Sequence, residues 1–404
     1  MKYKLGDIVK EVIDYRGKTP KKLGFEWSKS GIRALSAKNI KTGQIVQPES
    51  VRYVSKEDYP KWMRQEVERG TILITSEAPF GQIFYWDSDE KIVLSQRLFA
   101  IKVKDEFDSK YIYYQMTSNE FQSELKARAT GSTVTGLRQP ELMKCEIDIP
   151  DLETQKKIVR ILSALDRKIE LNNQLDLTVH NNLNAIFEDW FVHKNYNSNQ
   201  SKWRKEKLGN FVTINRGLSY KGQFLSDSGT PMINLGNIMP GGIFRSEKNK
   251  YYTGEFKNKV VVKAGDLVMA NTDMTQKREV LGTPLIVPSI YDGDVIFSHH
   301  IYSIKSEKIP TLFLYYLLLR KDFSDTAGGG ATGTTVLFLP KDIIENYEFV
   351  LPDDTEINRF VDIAKKVLQR RNNIMHENMA LKTIRDTLLS RLMSGEIILE
   401  KVKI

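Results

Sequence analysis

From about Glu153 to Phe191 the apolar positions follow a helical period. Ile158, Leu165, Asn172, Val179 and Ile186 recur every seventh residue, flanked by Leu162, Ile169, Leu183 and Trp190 at i+4 and by Ile161 and Leu175 at i+3. One apolar stripe with a single polar seam position, Asn172, predicts one long amphipathic helix. About forty helical residues reach roughly 60 Å, well beyond the helix of an ordinary domain. A partner of similar length lies near the end of the chain, where Phe360, Val367, Ile374, Leu381 and Leu388 again step by seven beside Ala364 and Leu392. Two unrelated surface helices are the plainer account. The shared length and period favour an antiparallel or near-antiparallel pair that acts as a spacer.

The stretches before these helices have a mixed pattern. Thr71–Ile74, Lys91–Leu94, Val260–Val262 and Asp266–Met269 read as short strands, punctuated by turn signals at Gly70, Pro79–Gly81, Gly241-Gly242 and Asp292-Gly293. Tyr111–Leu125 and Thr311–Phe323 read as helices, each followed by a Gly/Thr loop. Asp151 and Asp353 are placed to cap the long helices, and Asp353 with Glu356 has capping-box spacing. The polar run Asn195–Ser201 marks a linker.

The chain is also internally repeated. Leu5-Gly6-Asp7 is echoed by Leu208-Gly209-Asn210, Arg16-Gly17 by Arg216-Gly217, Asn39-Ile40 by Asn237-Ile238, and Tyr113-Tyr114 by Tyr315-Tyr316. Ser95–Lys102 aligns with Ser298–Lys305, and Ala129–Val134 with Ala331–Val336. An ordered series at offsets of about 198 to 203 residues signals duplication rather than chance. The expected order is a globule over 1–151, a long helix over 152–195, a second globule over 196–352, and a second long helix with a tail over 353–404. The fold class is α+β: two pseudo-repeated domains, each followed by a long helix, with the helices pairing as an antiparallel coiled-coil spacer.

Composition narrows the function classes. The chain has 404 residues, 41% of them hydrophobic, enough for proper cores. A net charge of +9 and an isoelectric point near 9.2 favour an acidic partner, nucleic acid or a membrane surface. The single cysteine, Cys145, excludes an intramolecular disulfide or a cysteine-rich zinc site and suits a reducing cytoplasm. No leader pattern follows Met1, and the longest apolar run, Leu312–Leu319, is too short for a membrane span. These features lead us to expect a soluble intracellular protein.

No complete active site is apparent, and no metal site is expected. His299-His300 has no cysteine or further histidine nearby in sequence, and the first copy carries Gln96-Arg97 there. Gly328–Gly333 matches G-x-G-x-x-G, but after a helical segment, which favours a plain turn over a dinucleotide loop. Pro150-Asp151 with Glu153 and Lys156 has a nuclease-like composition, yet its place at a helix start favours capping. Basic, amide and hydroxyl side chains in expected turns suit nucleic acid better, since cations neutralise phosphates and amides and guanidiniums reach base edges. In the first globule these candidates are Arg16, Lys18, Lys38, Asn39, Arg64, Ser76, Gln82, Gln96, Arg97 and Thr133. In the second they are Arg216, Tyr220, Lys221, Asn237, Asn271, Lys277, Arg278, His299, His300 and Thr335.

Several phrases carry a family resemblance: Lys4–Asp7, Leu35–Ile40, Ile149–Val159 running into Ile161–Asp166, Ile169–Asn173, Phe187–Val192 and Leu388–Ile397. Through them the chain resembles the specificity subunits of Type I restriction–modification systems over nearly its whole length. The second copy departs at Asp353–Ile357, where the usual Pro-Leu-x-x-Gln phrase is degraded, and we expect the helix to survive with altered contacts. The resemblance implies two target-recognition domains that read the halves of a bipartite double-stranded DNA target across a fixed gap. It also implies docking of two modification (adenine N6-methyltransferase) subunits and of restriction subunits. No cofactor is expected in this chain; S-adenosylmethionine, ATP and Mg2+ would belong to those partners. A nuclease acting alone and a coiled-coil adaptor that binds only protein are the alternatives. Salt dependence of DNA binding separates the adaptor.

Overall fold

The computed structural model describes residues 1–129, 136–193, 203–274 and 278–397. The chain divides into two compact units: Met1–Ile169 together with the stretch from Leu381, and Glu170–Ala380.

In the first unit the strands Val9–Asp14, Leu98–Val103, Thr71–Thr75 and Ile83–Trp86 form an antiparallel sheet in that order. Its central strands are buried on both faces, which explains their unbroken apolar runs. A second sheet orders Arg52–Val54, Ile32–Leu35 and Ile92–Leu94, the last two parallel. Lys2–Lys4 pairs with Glu146–Asp148, so the first and last strands of the domain are neighbours. The helical stretch expected over Tyr111–Leu125 is two helices, Ser109–Thr117 and Asn119–Ala127. Ser118 makes the break, its hydroxyl accepting from the Phe121 amide as an N-cap.

The second unit repeats this plan. Thr213–Arg216, Ile301–Lys305, Leu267–Ala270 and Pro284–Ile286 form the antiparallel sheet, and Arg204–Lys207 pairs with Glu348–Leu351. The companion sheet has five strands, with Thr230–Ile233 parallel to Val295–Phe297. The expected helix over Thr311–Phe323 again divides, into Thr311–Leu319 and Lys321–Gly329.

The long helices are Leu152–Glu188, continued by a π-helical turn Asp189–His193, and Asp354–Met393. Asp151 and Asp353 cap them: Asp151 accepts from the Thr154 amide at 3.0 Å, and Asp353 from the Thr355 and Glu356 amides at 3.0 and 3.1 Å. Each unit contains one antiparallel stretch of the pair. In the first, Ile158 and Leu162 share a core with Leu388 and Leu392, and Arg385 bonds Asp166 at 3.1 Å. In the second, Asn172 donates to Asn378 at 3.0 Å, Arg371 grips Asp176, and Phe187 meets Phe360 at 5.2 Å.

The seam departs from strict heptads. Ile158, Asn172, Phe360 and Ile374 are buried, whereas Leu165, Val179, Ile186, Val367, Leu381 and Leu388 are only half-buried. A helix of 3.6 residues per turn drifts about 20° per heptad, so the deepest positions move to Leu162, Ile169, His180, Leu183 and Phe187. Leu175, expected beside the seam, is exposed. At the degraded phrase, Gln155 is buried and bridges the Asp108 amide (2.9 Å) and the Pro150 carbonyl (2.8 Å), while Ile357 in the second copy is simply apolar core. The helix forms in both copies, and the contact differs as its chemistry requires.

Candidate nucleic-acid interface

In both units, side chains of the polar and cationic kinds converge at one end of the four-stranded sheet. In the first, Asp14 is opposite Phe99 and Leu98 opposite Thr75, so the residues just beyond those strands meet. Ser76 and Arg97 are joined there by the Ser76 amide and hydroxyl, both donating to the Arg97 carbonyl. Arg16 lies over the Phe99 ring at 4.7 Å, paired to Asp14 and within 3.4 Å of the Leu137 carbonyl. Arg97 has φ +60°, a left-handed backbone, and its half-exposed guanidinium lies 3.5 Å from Glu77. Gln96 is exposed beside it, and its carbonyl accepts from the Ala37 amide, which brings exposed Lys38 to the same rim. Lys18 lies over Tyr15 at 4.3 Å, and the Tyr15 hydroxyl accepts from the backbone amide of exposed Arg64. Gln82 is engaged one turn away, its Oε1 accepting from the Thr42 amide.

In the second unit, Arg216 is opposite Tyr302, lies 5.1 Å from the Phe338 ring and donates to the His299 carbonyl at 3.1 Å. Asn271 donates to that same carbonyl, and Thr272 Oγ1 lies 2.9 Å from His300 Nδ1. Tyr220 packs on the His299 ring at 5.9 Å, and Lys250 lies over Tyr220. Burial, then the Arg216 charge, holds the His299 imidazole below its ordinary range; burial, then His299, does the same for His300. Both rings are therefore neutral donor–acceptors at pH 7. Asn271 Oδ1, Ser298 Oγ and His299 Nδ1 are buried without a hydrogen-bond partner among the described residues, a concentration of unmet polarity at this one edge. Lys221 and Thr335 are exposed, and Arg278, also at positive φ, donates to the Gly328 carbonyl. Thr133 and Lys277 lie outside the described residues.

Four expected readers are buried: Ser76 and Asn271 at the sheet end, and Asn39 and Asn237 within turns of their own. Asn39 is buried, accepting from Ser36 and donating to the Gln47 carbonyl and Ser50 hydroxyl. Asn237 is its repeat partner, accepting from the Asn234 amide and donating to the Arg245 carbonyl and Asn249. Each amide closes its own turn, which removes both from any interface. Sequence reasoning missed buried His180 and its half-buried partners Asp176 and Arg371 in the helix pair; the polar spacing Asn172, Asp176, His180 at i+4 along the seam was the available signal.

No group of three His, Cys, Asp or Glu among the described residues could hold a metal ion. Gly328 and Gly329 are the last turn of a helix, not a strand-to-helix phosphate loop. Cys145 is buried, and burial pushes its thiol up to about 12, which disfavours the thiolate. No helix among the described residues is long and apolar enough to cross a membrane.

The model of the Type I restriction modification DNA specificity domain matches residues 1–181 and again residues 200–380. The chain belongs to this family. Among curated relatives, the Type I restriction enzyme MjaIX specificity subunit of Methanocaldococcus jannaschii is 25% identical over 351 residues, covering 83% of this chain and 79% of that protein. The MjaVIII specificity subunit of the same organism is 23% identical, covering 98% and 92%. A crystal structure of a Type I restriction–modification S subunit from M. genitalium covers 97% of this chain and 96% of that one, at 17% identity and a TM-score of 0.52, which supports the shared fold. As a specificity subunit the chain recognises DNA and leaves catalysis to other subunits. Each matched stretch contains one of the two sheet-end clusters.

Proposed function

We propose that this specificity subunit reads a bipartite duplex target, one half-site per recognition domain, with the paired helices setting the gap. The observation that carries this reading is one sheet end furnished twice with different chemistry: Arg16, Gln96 and Arg97 in one domain, Arg216, His299 and His300 in the other. Related frames with unlike readers imply unlike half-sites. We further propose docking of two modification subunits, which would bring S-adenosylmethionine and take the target adenine out of the stack, and of restriction subunits using ATP and Mg2+. The exposed Leu171, Leu175 and Leu177 of the first long helix support a protein partner there. The place of action is the cytoplasm.

Single-molecule methylation mapping of the source genome, with and without this gene, tests the reading. Loss of N6-methyladenine at a two-part motif of fixed gap is the expected result. If an active modification subunit co-purifies with the chain and the methylation pattern is still unchanged, the proposal fails.

A further inference from the structure

Within the second unit, a polar chain centred on buried His180 links the long helices to one turn of the recognition domain. His180 of the first long helix is 3% exposed. Its Nε2 lies 2.8 Å from the Gly241 carbonyl, and its Nδ1 lies 3.1 Å from a guanidinium nitrogen of Arg371 on the second long helix. Arg371 is in turn held by both carboxylate oxygens of Asp176, at 2.8 and 3.1 Å. A carbonyl can only accept and a guanidinium can only donate. Only the neutral imidazole with its proton on Nε2 satisfies both. The next residue of the turn, Gly242, has its carbonyl bonded by the Tyr315 hydroxyl at 3.0 Å. Gly241 and Gly242 have φ +76° and +74°, and a Cβ on Gly242 would fall 2.6 Å from that hydroxyl. The turn is thus moulded to fit against this contact.

The surrounding contact is apolar and aromatic, with Phe187, Tyr316 and Phe360 stacked edge and face. Apolar packing is non-directional and tolerates small rotations, whereas a hydrogen bond to a backbone carbonyl fixes a direction. The first unit has a different device: Tyr114 donates to Asp166 at 2.6 Å, and Asp166 pairs with Arg385. That bond ends on a helix side chain; the first unit's bond from the long helix to domain backbone is made instead by Gln155, which accepts from the Asp108 amide at 2.9 Å.

We propose that His180 is a positioning residue that fixes the bearing of the second recognition domain on the helix pair and thereby sets how strictly the gap between half-sites is discriminated. This rests on the two-part reading above. An imidazole bearing set by two bonds permits less rotation than packing alone, so loosening it widens the range of gaps accepted without changing the bases read.

The test uses the full chain in complex with its modification subunits and duplexes carrying the mapped motif with its native gap, or with one base pair more or fewer. For His180→Leu, which keeps volume but makes neither bond, the preference for the native gap is expected to fall by about fivefold or more, roughly 1 kcal/mol. Discrimination against base changes within each half-site should stay at the wild-type level. His180→Gln, which retains a donor for Gly241, should restore much of the gap preference. Arg371→Lys loosens the same chain from the other helix and should widen gap tolerance even if the leucine variant folds poorly. A purely structural role would lower melting temperature and weaken all three duplexes alike, and an unchanged gap ratio in both His180→Leu and Arg371→Lys would overturn the brace alone. A wild-type complex indifferent to the gap would overturn the two-part reading and the brace with it.

Discussion

Arg97 shows how a single residue carries information beyond its charge. A side chain other than glycine in the left-handed region costs about 1–2 kcal/mol, and such strain persists where something else requires it. Replacing it with glycine separates the two roles. Arg97→Gly should leave the melting temperature unchanged or higher, while affinity for the mapped duplex falls by about tenfold or more, as expected for loss of a base or phosphate contact. Equal affinity would mean that the strained guanidinium does not touch DNA. His180 offers a pH test of a different kind. Burial, then the Arg371 charge, lowers its pKa from 6.5 to about 4. The unfolded chain binds the proton at higher pH than the folded one, so this stabilisation is complete above pH 6.5 and is lost as pH falls toward 4. It amounts to about 3 kcal/mol at most. Urea denaturation at pH 7.5 and pH 5 should show a smaller pH-dependent loss for His180→Leu than for wild type. The amides were the harder residues to read from sequence. Asn39 and Asn237 sit in turns, where a free amide would face DNA, but linear sequence does not show that the turn's own carbonyls lie within reach.

At the scale of elements, the long helices were legible because a seven-residue apolar period survives any choice of neighbours, and their caps follow from Asp151 and Asp353. Depth within the seam was less legible, since drift over five heptads exchanges Val179 for His180 and Ile186 for Phe187. Strand register was also hidden. The repeated Arg-Gly dipeptides align in sequence, yet Asp14, not Arg16, occupies the place that Arg216 has opposite Tyr302. Arg16 still reaches the same sheet end by folding back over Phe99. The polar layer of the helix pair makes its own prediction. Asn172 donates to Asn378 and Glu377, and Asn378 donates to Asn173. Asn172→Leu alone should cost about 1–3 kcal/mol in chemical denaturation, because it leaves a buried carbonyl oxygen on Asn378 unmet. Asn172→Leu with Asn378→Leu should recover most of that loss. A double variant as weak as the single one would refute a pairwise layer.

For the whole molecule, the proposed reading, two readers joined through paired helices, would make separation a heritable dimension of specificity, independent of the bases read. Removing one heptad from each long helix shortens the pair by roughly 10 Å, about three base pairs of rise. Methylation mapping of that variant should return the same half-sites at a shorter gap; an unchanged gap would refute the helices as the ruler. The strand pairs that close each recognition domain bear on how such a protein diversifies. Tyr3 lies opposite Ile147, and Lys205 opposite Val350, so the chain enters and leaves each domain side by side. A segment whose two ends meet can be exchanged for another while the rest of the polypeptide keeps its path. Genetic crossovers at those closing strands would swap one half of the recognised word and leave the other half, and the grammar between them, intact.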